Sequence, residues 1–429
     1  MRRLFLLAAV LALQASAPAV VTAAPASAAK NEPALAIVAD GGFELARVEP
    51  SSLARLPGGT VPLGRSAFAW AFSADRTKVA VGGQDGLQFV DVSAMRLLGR
   101  MSMARRFEVA SNGGVATFFG VQPLAWLTPR RVLVLAPPHE LLVVDPGRRR
   151  VIARKELGGW VGRIERTGTR LVLLVHAPER IAPARLVVAD ASGALRSVRV
   201  DRIVAGSRLE DAATHRTRSM TPGLAVDPSR ERAYVVGAAG TVAEIPLATL
   251  RVVYREPSRP RSLLGRLHAW LEPEAQGKAG SGAHRDALWL GNGLLAVSGS
   301  DSMVVTSNGR LAQTSSPAGL KLIDTRSWTI RTLDERASSF VYSSGLLLAS
   351  GVTFRANAAE GIGVVAYELD GTRRLSLFEG EPLQWAGAAG GYGYVPARAG
   401  EPRGVRIVDL ADGSVVLRPT LEAPLFVEP

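Results

Sequence analysis

The 429-residue chain contains no cysteine, which excludes disulfide cross-links, thiolate metal sites and a lipid anchored on an N-terminal cysteine. Its formal charge is +13 and hydrophobic residues make up 47% of it, the composition of a folded basic protein rather than a disordered one. Only Lys30, Lys78, Lys155, Lys278 and Lys321 supply lysine charge, and the arginines are scattered rather than clustered as a nucleic-acid footprint requires, so no nucleic acid is expected among the partners.

The chain opens on Arg2-Arg3, a ten-residue apolar run from Leu4 to Leu13, and an Ala-rich stretch ending in Ala26-Ser27-Ala28. That is the pattern of a secretory signal peptide with an A-x-A cleavage site, and the run falls short of the roughly 20 residues that span a bilayer. Residues 1–28 are expected to be removed, leaving 29–429 as one secreted, extracytoplasmic domain. Arg2-Arg3-Leu4-Phe5-Leu6 also resembles the twin-arginine export signal, so Sec and Tat routes both stay open. No later apolar run is long enough to cross a membrane, and the mature chain is expected not to span one.

From there one pattern recurs: an apolar strand ends in Asp or a substitute, a short turn follows, and another apolar strand begins. Phe89-Val90-Asp91 runs into Met95 to Leu98, Val143-Val144-Asp145 into Arg150 to Ile152, and Val188-Ala189-Asp190 through Gly193 into Leu195. Leu322-Ile323-Asp324 runs into Trp328 to Ile330, and Ile407-Val408-Asp409 through Gly413 into Val415. Weaker copies at Glu49, Pro246 and Glu368 complete the series. A carboxylate at a strand end accepts backbone N–H bonds two residues on, closing an Asx turn, so each copy predicts an antiparallel hairpin. Most hairpins are preceded by two more short strands, as in Ala69 to Phe72 followed by Lys78 to Val81. Four short strands per unit of roughly 40 to 45 residues predict an all-β propeller of eight four-stranded blades, with seven as the alternative. The first unit lacks an inner strand and the tail from Ala423 to Val427 is a spare one, so the C-terminal strand is expected to join the N-terminal blade and close the ring. An outer-membrane barrel is disfavoured, since it needs longer alternating strands and aromatic girdles, and aromatics are 6% here.

Two stretches resemble the blade starts of YVTN-type propellers, a WD40-like group: Phe72-Ser73-Ala74-Asp75-Arg76-Thr77-Lys78-Val79-Ala80-Val81, and Val226-Asp227-Pro228-Ser229 through Val236. Gly237 stands where that family has its asparagine, and the S-P-D-G element is intact nowhere. The resemblance implies a propeller and, for the family, mostly exported or cell-surface binding modules.

Long connections fall unevenly. Met103 to Val121, Arg202 to Thr221 and Pro257 to Arg285 lead from an outer strand to the next inner one, while His176 to Ala184, Ser298 to Ala318, Gly351 to Ile362 and Pro396 to Gly404 join second to third strands. In an antiparallel blade both kinds emerge on one face of the disc, and long loops there carry function. Insertions are thus expected at 202–221, 257–285 and 298–318. Within the second, Leu263, Leu264, Leu267, Trp270 and Leu271 space like one side of a short helix. Arg105, Arg216, Arg218, His284, Asp301, Arg310, Arg355 and Glu360 on this face are the candidate ligand-binding residues. The five histidines form no metal-binding pair, and no nucleophile elbow or phosphate loop appears, so no metal, cofactor or assigned catalytic residue is expected. The reading is a non-enzymatic binding module for an extracytoplasmic ligand: an anionic wall polymer or glycan, or a protein. The alternative is an extracytoplasmic hydrolase, lyase or lactonase with its site at the mouth of the central channel, where inward carboxylates converge.

Overall fold

The computed structural model describes residues 32–39, 43–64, 67, 69–83, 86–103, 124–136, 140–211, 216–258, 282–307, 310–355, 358–397, 404–419 and 425–426. The signal-like segment, Arg105 and the short helical spacing at 262–272 lie outside them. Every regular element among the described residues is a β-strand, and none is a helix long and apolar enough to cross a membrane.

The unit beginning at Ala69 shows why the pattern folds as it does. Ala69–Phe72, Lys78–Gly83, Gly86–Asp91 and Arg96–Met101 pair in that order, each antiparallel to the last. The two middle strands are buried on both faces, whereas the outer strand alternates exposed and half-buried. The Asp anchors act as turn caps. Asp145 Oδ1 accepts the backbone N–H groups of Gly147 and Arg148, both at 3.0 Å, and Asp324 and Asp409 do the same two residues on. The Arg148 N–H bond leads the causes that hold the Asp145 carboxyl below its ordinary range.

Sheets stack face to face around a central axis, and the core is divided among their interfaces. Ala80 and Phe89 of one sheet meet Trp126, Val132 and Val144 of the next, with the Phe89 and Trp126 rings edge to face at 6.0 Å. The ring closes as the sequence predicts. Leu425–Phe426 pairs antiparallel with Ala34–Ala39, becoming the inner strand of the first sheet. Ala36, Val38 and Ala46 of that sheet pack against Tyr394, Val405 and Ile407 of the last, and the Tyr394 hydroxyl donates to the Pro50 carbonyl at 3.0 Å.

The expected blade count is corrected. Among the described residues the strands form six hydrogen-bonded sheets, not eight or seven: five have four strands and the sixth has fourteen, so counted as continuous sheets the propeller has six blades. The cause lies in the segments taken for long loops. Leu195–Asp211 runs on beyond its unit and pairs with Arg216–Thr221, which pairs in parallel with Gly282–Gly291. Leu294–Ser307 likewise runs on and pairs with Arg310–Pro317. Ser315 then bridges to Phe354 on the extended hairpin Leu346–Arg355/Ala358–Glu368. These extensions fuse units that the repeat pattern keeps separate, and they rise as one raised sheet over the long-connection face. Gly299 marks where one extension leaves the disc: its φ is +149° and a Cβ there would lie 2.0 Å from the His284 carbonyl oxygen.

Candidate functional site

The inner strands pack side by side around the axis, so residues opposing the same position of their second strands lie on one rung of the channel wall. Arg163 opposes Leu174, Gly223 opposes Val236 and Asp286 opposes Ser298, which sets the three on a common rung of successive inner strands. Gly223 has no side chain, and a Cβ there would press on the Ala287 Cβ at 2.9 Å. Arg163 reaches past this strand to the next one. Its guanidinium Nη2 donates to Asp286 Oδ1 at 2.8 Å and to the Arg285 carbonyl at 2.8 Å, and lies 3.0 Å from His284 Nε2.

Arg163 is 6% exposed, so this is a nearly dry charge held by partners more than 120 residues away. Loss of hydration pulls its pKa down, and Asp286 and Glu165 pull the other way. At Asp286 burial works to raise the carboxyl, but the His284 hydrogen bond and the charges of His284 and Arg163 more than offset it and leave it below the ordinary range. His284 Nε2 is 3.2 Å from both Asp286 oxygens. As a donor that nitrogen serves Asp286; as an acceptor it serves Arg163. Beside this cluster Arg285 donates to the carbonyls of His284, Ser300 and Ala238 and pairs with Asp301 at 2.9 Å, tying the channel rim to the raised sheet.

Seven of the eight residues singled out from sequence lie on the fourteen-stranded sheet. Arg216 and Arg218 are on Arg216–Thr221, His284 on Gly282–Gly291, and Asp301 on Leu294–Ser307, where His284 opposes Ser300 and Asp301 opposes Ala283. His284 and Asp301 therefore stand close together at the foot of the raised sheet. Arg310 opposes Ser307 and Arg355 opposes Ala358, at the tips of two hairpins, and Glu360 is exposed opposite Thr353. The remaining residue, Arg105, lies outside the described residues. Asp286, beside the insertion expected at 257–285, is a strand residue in an ion pair with a buried arginine.

Sequence reasoning missed Arg163 and Glu165. The signal was two charges two residues apart in an inner strand, Trp160–Thr167, where the unit at Ala69–Phe72 has small apolar residues. Glu165 keeps part of its surface open, yet loss of hydration pushes its carboxyl up to about 7 against the pull of Arg163. No hydrogen bond to this carboxylate exists among the described residues.

No family model and no curated protein matches the sequence. Solved structures do resemble it. Dihydro-heme d1 dehydrogenase NirN, solved in complex with DHE, is 12% identical with a TM-score of 0.52 over 91% of this chain and 74% of that one. BamB from Moraxella catarrhalis is 11% identical, with a TM-score of 0.45 over 89% and 95% of the two chains. The WD40 domain of Toxoplasma gondii coronin is 10% identical, with a TM-score of 0.40 over 92% and 89%. At 12% identity the likeness to NirN speaks to architecture alone, in keeping with the propeller arrangement of the sheets.

Proposed function

We propose that the protein is an exported, non-enzymatic interaction module that docks an acidic partner, wall polymer or protein, on the raised sheet of its long-connection face. The observation that carries this reading is the fusion of extended hairpins into one continuous surface over one side of the disc. Turns on the other face stay short, so the elaboration is one-sided. The extended hairpin, residues 206–211 with Arg216–Thr221, carries a formal +1, with Arg208 and Leu209 exposed. An arginine-rich, partly apolar sheet suits a ligand bearing carboxylates or phosphates. Export rests on the signal-like N-terminus, and the YVTN-type resemblance supports a binding role.

The test is retention on immobilised polyanion, using heparin and polyglutamate as probes, at rising salt. Wild-type protein is expected to elute later than the Arg208→Glu variant, with the gap narrowing as salt rises. Equal elution of the two, or a gap independent of salt, contradicts the proposal.

A further inference from the structure

A cavity of about 350 Å³ opens on the channel below the Arg163 rung, lined by the inner strands Ala69–Phe72, Leu124–Thr128 and Trp160–Thr167. Its origin is legible in the register. Ala71 opposes Ala80, Ala125 opposes Leu133 and Glu165 opposes Val172, which makes these three a single rung. Two alanines side by side leave the space, and the third position fills part of it with a carboxylate. Trp70, Phe72, Trp126, Leu124 and Ile164 make most of the wall apolar. The volume lies in the range of small-molecule sites.

Two polar groups here lack a hydrogen-bond partner among the described residues, the Trp126 indole and the Glu165 carboxylate. Trp126 is buried, and its indole N–H has no acceptor among the described residues. An unmatched buried donor costs about 1–3 kcal/mol and is rare in a native interior. Glu165 accepts no hydrogen bond among the described residues. The charges around it are otherwise positive or already committed. Arg163 sits one rung above on the same strand, tied to Asp286 and close to His284. Arg166 donates to the Phe72 carbonyl at 3.1 Å, and the Arg76 guanidinium stands 5.9 Å from the Phe72 ring centroid. Asp75 accepts from Ser73 and Thr77 within its own turn. A cation entering this space meets two arginines, Arg76 and Arg166, against one carboxylate, Glu165. An acceptor-rich anion meets the guanidinium groups of Arg76 and Arg166 and a carboxyl able to donate once protonated.

We propose that this cavity binds a small monocarboxylate with an aromatic or apolar body, and that Glu165 takes up one proton from solvent as the ligand enters. The site is separate from the raised sheet and does not depend on the partner proposed for it. The balance is one ligand carboxylate and one proton in, with Glu165 passing from carboxylate to carboxylic acid and donating to the ligand oxygen. Burial already sets the Glu165 carboxyl to about 7, so this proton is available near neutrality.

The test uses the full secreted chain with phenylacetate, phenylacetamide and phenethylamine as probes, read by tryptophan fluorescence and by titration calorimetry in two buffers of different ionisation enthalpy. Phenylacetate, ionised throughout, is expected to bind roughly tenfold tighter at pH 6 than at pH 8, with uptake of about one proton at pH 8. Glu165→Gln, which keeps a donor, is expected to bind with no pH dependence, and Ala125→Leu to abolish binding by filling the cavity. Should either variant fail to fold, the wild-type pH series and proton count still decide. Preference for phenethylamine, equal phenylacetate affinity at both pH values, or no signal at 10 mM phenylacetate overturns the proposal.

Discussion

Replacing Glu165 by Gln should stabilise the protein at alkaline pH and leave it unchanged at acid pH. The folded carboxyl holds its proton up to about pH 7, against an ordinary value of 4.5 in the unfolded chain. Between those values the folded state binds more protons than the unfolded one, so stability falls as pH rises from 4.5 to 7 and levels off above. The full penalty above pH 7 is about 3 kcal/mol, at roughly 1.36 kcal/mol per pKa unit. Glutamine fills nearly the same space without the charge and removes that penalty. Unfolding entropy of about 2.1 cal/mol/K per residue over roughly 400 residues converts this to a rise of about 3–4 °C in Tm at pH 8.5. At pH 4.5 the two proteins should melt together. Differential scanning calorimetry of both proteins between pH 4.5 and 9 makes the comparison. A Tm difference that does not change with pH, or a variant less stable at pH 8.5, refutes the assignment of a desolvated, unpartnered carboxylate to the channel.

Further consequences follow from the contacts. Arg163→Met leaves Asp286 on its rung with His284 as its remaining side-chain partner among the contacts described, and should cost about 2–4 kcal/mol by urea titration. That loss should shrink at low pH as Asp286 becomes protonated. Tyr394→Phe removes the hydroxyl that joins the last sheet to the first at Pro50, and should cost about 1 kcal/mol in the same assay without altering secondary structure. Deleting residues 420–429 takes away the inner strand paired with Ala34–Ala39. Light scattering during a thermal ramp should then show aggregation well below the wild-type Tm, because an open sheet edge is exposed.

How much of this was readable beforehand depends on distance along the chain. Asp91, Asp145, Asp190, Asp324 and Asp409 announce hairpins because an Asx turn is a local event, complete within about four residues. Closure by the tail was readable because Ala34–Ala39 had no inner partner of its own. The blade count was not. Ser298 to Ala318 is rich in Ser and Gly and reads as a loop, yet it extends as Leu294–Ser307 and Arg310–Pro317 because each strand satisfies the other's backbone and its neighbour Gly282–Gly291 adds a second edge. The channel cluster was hidden for the opposite reason. Arg163 and Asp286 are 123 residues apart, and nothing local in either stretch names the other. Gly223, whose missing Cβ lets its strand close on Ala287, looks in sequence like an ordinary strand start.

The most direct test of the docking account is site-specific photocrosslinking in the producing cells, with a benzophenone side chain placed at Leu209 on the raised sheet or at Leu98 on an outer strand of another sheet, both exposed. The account predicts a discrete adduct from position 209, weakened by Arg208→Glu, and none from position 98. Adducts of equal strength from both positions, or from position 98 alone, would contradict a partner site on the long-connection face.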